Sequence, residues 1–91
     1  MDARRKILVV EDSIANRLTL CKILSQEYET LEAANGREAL EILNRESLGV
    51  SLIFLDIRMP VMDGYTFLKK MQTDQLLASI PVIVVTQSDG E

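Results

Sequence analysis

Three short runs of apolar residues, rich in β-branched side chains, recur along the chain at 7–10, 52–55 and 82–85. An unbroken apolar run of this length is typical of a strand that is covered on both faces in a parallel sheet. A weaker strand pattern lies at 30–33. The chain is therefore predicted to contribute four strands to one sheet.

Helical patterns separate these strands. Either Ser13 or Asp12 can cap a first helix that runs to about Ser25, and either Asn35 or Gly36 opens a second one. After the third strand, apolar residues recur at helical spacing at Tyr65, Phe67, Leu68 and Met71. The order β-α-β-α-β-α-β with short connections predicts an α/β fold, a doubly wound parallel sheet with helices on both faces. In such sheets, ligands bind outside the carboxyl ends of the strands.

Length and composition restrict the possible functions. The 91 residues, 47% of them hydrophobic, predict one domain covering 1–91. Ten basic and fourteen acidic residues give a net charge of -4, which argues against direct binding of nucleic acid. The basic cluster at 4–6 is interpreted as a solvated leader. No apolar run approaches the roughly 20 residues of a membrane span, so we expect no membrane association and a cytoplasmic protein.

The single cysteine, Cys21, has no partner for an internal disulfide. It falls at helical spacing with Ile14, Leu18 and Leu24, which predicts an apolar stripe on the first helix. We therefore interpret Cys21 as a core thiol rather than a reactive one.

Polar residues with possible chemistry follow three of the predicted strands. Glu11 and Asp12 come after the first strand, Asp56 after the third and Thr86 after the fourth. The fold predicts that they meet at one rim, where the carboxylates repel one another unless a cation neutralises them. Magnesium prefers such hard oxygen ligands and often binds phosphate oxygens as well. The cluster therefore indicates a phosphate site with Mg²⁺.

Each of these residues also has a purely structural interpretation. Asp12 could cap the first helix, Glu11 could be a solvated loop residue, Asp56 could terminate a strand and Thr86 could be a β-branched residue ending one. Together, however, they favour a site, because a carboxylate after an apolar central strand is costly to desolvate without a partner.

Several motifs resemble the receiver domains of two-component response regulators. The sequence at 9–13 is similar to the acidic-pair motif of that family, and the nine residues at 56–64, DIRMPVMDG, resemble its phosphoacceptor loop. The segments at 33–40 and 81–86 are similar to the opening of its second helix and to its fourth strand. The resemblance implies a flavodoxin-like fold with strand order 2-1-3-4.

The resemblance also implies a function. Asp56 would accept a phosphoryl group from a sensor histidine kinase or phosphotransfer protein, forming an aspartyl phosphate. Glu11, Asp12, Asp56 and the backbone carbonyl of Arg58 would hold Mg²⁺, and the Thr86 hydroxyl would act in the switch. Such a domain phosphorylates and dephosphorylates itself and is not a conventional enzyme. Asp63 is expected to cap the third helix.

The chain also departs from the family pattern. It ends five residues after Thr86, so the family's fourth helix, fifth strand and fifth helix are expected to be absent, together with the lysine that ends the fifth strand. Lys69 and Lys70 are expected on the third helix, where neither can replace it. Gln87 stands where many relatives have a small residue. We expect the exposed edge of the fourth strand to make the chain a homo-oligomer.

Two alternatives remain open at this point. A phosphatase of the haloacid dehalogenase type also has an aspartate nucleophile after an apolar strand, but it has a second aspartate where this chain has Arg58. A receiver remnant that binds or dimerises without phosphorylation is the alternative from another functional class.

Overall fold

The computed structural model describes residues 5–46, 49–56 and 64–85. The predicted alternation of strands and helices is confirmed. In chain order the elements are β1 (Lys6–Val10), α1 (Ile14–Leu24), β2 (Glu29–Ala33), α2 (Gly36–Glu46), β3 (Val50–Asp56), α3 (Gly64–Gln72), α4 (Gln75–Ala78) and β4 (Val82–Val85).

The four strands form one parallel sheet in the order β2-β1-β3-β4, as expected. β1 pairs with both β2 and β3, and Val10 lies beside Ala33 on one side and Leu55 on the other. The pairing of β1 with β3 is irregular at its beginning. Lys6 lies beside Val50 but Ile7 lies beside Leu52, so β3 has one extra residue at this point.

Strand β1 is buried on both faces of the sheet, and its successive side chains point to opposite sides. Leu8 and Val10 belong to a larger core cluster on the side of α2, α3 and α4. Ile7 and Val9 belong to a smaller cluster on the side of α1. The apolar run of β1 is thus divided between two layers, which explains why it shows no alternation with polar residues.

Local side chains fix the beginnings of the helices. Ser13 is the N-cap of α1, and its hydroxyl accepts a hydrogen bond from the Asn16 N–H at 3.3 Å. At α2, the Glu38 N–H donates to Asn35 Oδ1, and the Glu38 carboxylate accepts from the Ala34 N–H, both at 2.9 Å. Of the capping residues proposed from the sequence, Ser13 and Asn35 therefore act as caps.

The prediction of an apolar stripe on α1 is wrong for two of its four residues. Ile14 and Leu18 are 64% and 54% exposed, whereas Cys21 is buried and Leu24 is partly buried. The residues of α1 that turn toward the sheet are at positions 17, 20, 21 and 24, so the buried stripe is rotated around the helix and includes Arg17.

The interpretation of Cys21 as a core thiol is confirmed. Its side chain is buried against the smaller core cluster. Burial and the nearby Glu32 carboxylate raise the pKa of the Cys21 thiol, although a hydrogen bond with Thr30 and the charge of Arg17 oppose the shift. A thiol with a raised pKa carries little of the reactive thiolate at neutral pH.

No helix in the part of the chain that the structure describes is long and apolar enough to cross a membrane.

Candidate functional site

Parallel pairing of β1 with β3 brings two distant carboxylates together. Glu11 directly follows β1, Asp56 is the last residue of β3, and the pairing of Val10 with Leu55 places Glu11 beside Asp56. Asp12 lies next along the chain. One carboxylate oxygen from each of the three residues lies within 4.8 Å of the others. The predicted meeting of these residues at the carboxyl edge of the sheet is therefore observed.

The three carboxylates differ in their contact with solvent. Glu11 and Asp56 are only 4% and 3% exposed, whereas Asp12 is exposed. The cluster consequently has a buried floor and an open side at Asp12. A ligand that arrives from solvent would meet Asp12 first and the other two carboxylates behind it.

Burial raises the pKa of Glu11 above its ordinary value. A hydrogen bond from the Ser13 backbone N–H, 3.2 Å from Glu11 Oε2, opposes this shift. The charges of Asp56 and Asp12 and a hydrogen bond with Asp56 raise the pKa further. The site therefore resists carrying its full negative charge when no cation is present.

The backbone of Glu11 is held at both of its polar groups. Its N–H donates to the Ala33 carbonyl of β2 at 3.0 Å, which continues the pairing of the sheet by one residue. Its carbonyl accepts a hydrogen bond of 2.8 Å from Nη1 of Arg17. Thus a residue of α1 and a residue of β2 together fix the peptide groups on either side of Glu11.

Arg17 was not among the site residues predicted from the sequence. Besides the Glu11 carbonyl, it contacts the Glu32 carboxylate of β2, with 3.0 Å between Nε and Oε1. A signal was present, because Arg17 lies at helical spacing with Leu20, Cys21 and Leu24 and so falls on the buried side of α1. A cation at such a position needs partners that a helical pattern alone does not identify.

The donor set fits a small, hard dication. All three side chains supply carboxylate oxygens, they lie close enough for one ion to contact them, and Asp12 leaves an open side for water or a further ligand. A bound cation would also remove the repulsion that raises the pKa of Glu11.

Several residues named in the sequence analysis lie outside the described residues. These are Arg58, Asp63, Thr86 and Gln87, so their predicted roles stay predictions. Lys69 and Lys70 lie on α3, as expected.

A cavity of about 480 Å³ lies at the opposite end of the sheet, between the end of α1 and the beginnings of β1 and β3. Its walls are mostly apolar and include Leu24, Leu52 and Phe54. None of the three clustered carboxylates lines it. The carboxylate cluster is therefore separate from this cavity.

Comparison with known proteins identifies the family. The family model described as the response regulator receiver domain matches residues 7–91. The response regulator PleD of Caulobacter vibrioides is 40% identical over 86 residues, which are 93% of this chain but 18% of PleD. The chain thus corresponds to a small part of that relative.

Solved structures give the same result. The chemotaxis protein CheY4 of Vibrio cholerae superimposes with a TM-score of 0.84 at 31% identity, covering 96% of this chain and 72% of CheY4. A CheX–CheY complex with BeF₃ and Mg²⁺ from Borrelia burgdorferi gives a TM-score of 0.80 at 30% identity, covering 96% of this chain and 65% of that chain. With the strand order and the family match, these similarities lead to one conclusion: the chain belongs to the receiver domain family of two-component response regulators.

Proposed function

We propose that Asp56 accepts a phosphoryl group from a phosphohistidine of a sensor histidine kinase or phosphotransfer protein, in a reaction that depends on Mg²⁺. The observation that carries this proposal is the cluster of Glu11, Asp12 and Asp56, whose carboxylate oxygens lie within 4.8 Å of one another. Membership of the receiver family supports it. The reaction would take place in the cytoplasm, as the sequence predicts.

The proposed reaction transfers the phosphoryl group from a histidine nitrogen to a carboxylate oxygen. An oxygen of Asp56 forms a bond to phosphorus while the bond from phosphorus to the histidine nitrogen breaks, and the electron pair of that bond stays on the imidazole. Burial of Asp56 keeps bulk water away from the attacking oxygen. When bound, Mg²⁺ would neutralise the charge of the carboxylates and of the phosphoryl oxygens.

The residues of this chain have distinct roles in the proposal. Glu11, Asp12 and Asp56 hold the metal with their carboxylates, and the backbone carbonyl of Arg58 supplies a further ligand. The Thr86 hydroxyl hydrogen-bonds a phosphoryl oxygen after transfer and so biases the domain toward a second surface state. The presence of BeF₃ and Mg²⁺ in the CheX–CheY complex from Borrelia burgdorferi supports the choice of metal.

Intact mass spectrometry tests the phosphoacceptor. After incubation with acetyl phosphate and Mg²⁺, we expect a gain of one phosphoryl group in the unchanged protein and none in Asp56→Asn. Asp74→Asn is a matched control, because Asp74 is an exposed aspartate at the start of α4 and lies outside the cluster.

Two results would contradict the proposal. An unchanged mass in all three proteins, with no affinity for Mg²⁺, would favour the non-phosphorylated interaction module. A phosphoryl group that persists in Asp56→Asn would place the acceptor elsewhere. The phosphatase alternative is set aside, because the chain belongs to the receiver family.

We also propose that the chain forms a homo-oligomer through β4. This strand occupies an outer position of the sheet as described, and it exposes Ile83 on one face and Val84 on the other. An outer strand that exposes apolar side chains favours pairing with a second copy. Light scattering after size-exclusion chromatography should show a dimer or larger species that Val84→Lys weakens, and a monomer at every concentration would refute self-association.

A further inference from the structure

We infer that Arg17 is a positioning residue for the metal site, which it controls by holding the peptide group between Glu11 and Asp12. Because Arg17 can act only through that site, this inference rests on the proposed function. Arg17 is six residues from Glu11 in the chain and lies on α1, yet its Nη1 donates to the Glu11 carbonyl at 2.8 Å. The bond therefore closes the turn by which the chain passes from β1 into α1.

This hydrogen bond fixes the direction in which Asp12 leaves the sheet. The Glu11 N–H is already held by the Ala33 carbonyl, so the bond to Arg17 fixes the remaining polar group of the Glu11 backbone. The carbonyl of Glu11 belongs to the same planar peptide as the nitrogen of Asp12. Holding that plane restricts the position of the Asp12 Cα and therefore of its carboxylate.

Asp12 needs such a restraint more than the other two carboxylates do. Glu11 and Asp56 are enclosed by the fold, whereas Asp12 is exposed and would be driven away from them by charge repulsion when no cation is bound. A site whose ligands are already in place binds its metal more tightly, because less order has to be created on binding. Arg17 thus contributes to affinity without touching the metal.

Two contacts explain why an arginine stands at position 17. One guanidinium spans the Glu11 carbonyl and the Glu32 carboxylate with two different nitrogens, at 2.8 and 3.0 Å. The Arg17 side chain is only 16% exposed, so its charge requires a partner, and Glu32 supplies one. A lysine has a single nitrogen and cannot reproduce the planar fork.

Isothermal titration with Mg²⁺ alone tests this inference on the purified chain, at a temperature where each variant is folded. Arg17→Met keeps much of the apolar stem and removes the donors, and we expect its Kd for Mg²⁺ to rise about 10-fold. Arg17→Lys keeps the charge, and its Kd for Mg²⁺ should lie between those of the unchanged chain and Arg17→Met. Arg45→Met is the control, because it removes an exposed arginine from the far end of α2, and its Kd should match that of the unchanged chain.

Thermal unfolding in EDTA separates positioning from general stability. If Arg17 only stabilises the fold, Arg17→Met lowers Tm in EDTA while the folded protein binds Mg²⁺ as before, and the inference is overturned. If Arg17→Met fails to fold, Arg17→Lys decides the question by the same comparison. A higher Kd for Mg²⁺ in Arg17→Lys supports the inference, and an unchanged Kd refutes it.

Glu32→Gln provides a further comparison. The glutamine retains an oxygen that accepts from Nε of Arg17, so the guanidinium should stay in place and Kd should change less than in Arg17→Met. A larger loss in Glu32→Gln would mean that the charge of Glu32, and not the bond to the Glu11 carbonyl, controls the site. If the unchanged chain does not bind Mg²⁺ at all, the proposed function itself fails, which is distinguishable from equal binding by all variants.

Discussion

Strands β1 and β3 each pass from apolar core to carboxylate within one residue, and the two sides of this boundary are almost equally buried. Val10 and Leu55 are 1% and 0% exposed, and the residues that follow β1 and end β3, Glu11 and Asp56, are 4% and 3% exposed. Exclusion from water stabilises the fold through the first pair and opposes it through the second. The same sheet thus supplies stability in its middle and chemistry at its edge.

The largest expected effect lies on the apolar side of this boundary. Leu55→Ala leaves a cavity in the larger core cluster, so the free energy of unfolding should fall by about 3 kcal/mol. Leu18→Ala removes the same atoms from an exposed position of α1 and should change it by less than about 0.5 kcal/mol. Urea unfolding in EDTA measures the free energy of unfolding of both variants. Losses of similar size would contradict the distinction between the buried and the exposed leucine.

Binding of Mg²⁺ should offset the free-energy cost of burying Glu11 and Asp56. At roughly ten times its Kd, Mg²⁺ binding to the folded chain alone would stabilise it by about 1.4 kcal/mol. Asp56→Asn should lose most of this gain, whereas Asp74→Asn should keep it. Thermal unfolding with and without Mg²⁺ checks both variants, and equal stabilisation of Asp56→Asn would exclude Asp56 as a ligand.

Without metal, neutralising Glu11 should stabilise the protein by about 1 kcal/mol at pH 7. Because burial raises the pKa of Glu11 in the folded protein, folding favours its protonated form and ionisation at neutral pH opposes folding. Glu11→Gln keeps an oxygen for the Ser13 N–H and removes that charge.

The advantage of Glu11→Gln should depend on pH. It should be largest at pH 7 and shrink as the pH falls toward the ordinary Glu pKa of 4.5, where the unchanged protein becomes protonated too. Urea unfolding in EDTA at several pH values tests this. If the stability advantage of Glu11→Gln instead grew as the pH fell, the pKa of Glu11 would be lowered in the folded protein and not raised.

The sequence was sufficient for the sheet because three of its four strands contain continuous apolar runs. Continuous apolar runs identified β1, β3 and β4, and the capping residues Ser13 and Asn35 located two helix beginnings. The single turn α4 was missed. It is only four residues long and is fixed by Asp74, whose side chain accepts from the Leu77 N–H, so it has no apolar period to detect.

The prediction for α1 was wrong at Ile14 and Leu18 because apolar residues occur all around that helix. Ile14 and Leu18 fit a stripe with Cys21 and Leu24 as well as Leu20 does, and the sequence pattern does not decide which side of the helix faces the sheet. In the structure Arg17 lies on the side of α1 that faces the sheet, and its two partners come from other parts of the chain. Contacts of this kind depend on the folded arrangement of β1 and β2 and cannot be predicted from the pattern of one helix.

The carboxylate cluster could be predicted because topology alone places the ends of parallel strands together. The sequence could not predict which of these carboxylates are buried. Glu11 and Asp12 are neighbours in the sequence, and only the structure shows that one is enclosed and the other is exposed.

The irregular pairing at the beginning of β3 has a consequence for the position of Asp56. The extra residue is accommodated beside Lys6 and Ile7, at the end of the sheet away from the carboxylates. From Leu52 onward the alignment with β1 is regular, and a slip of one residue there would turn Asp56 to the opposite side of the strand. The extra residue ahead of Leu52 is therefore absorbed locally, and the alignment that brings Asp56 beside Glu11 is kept.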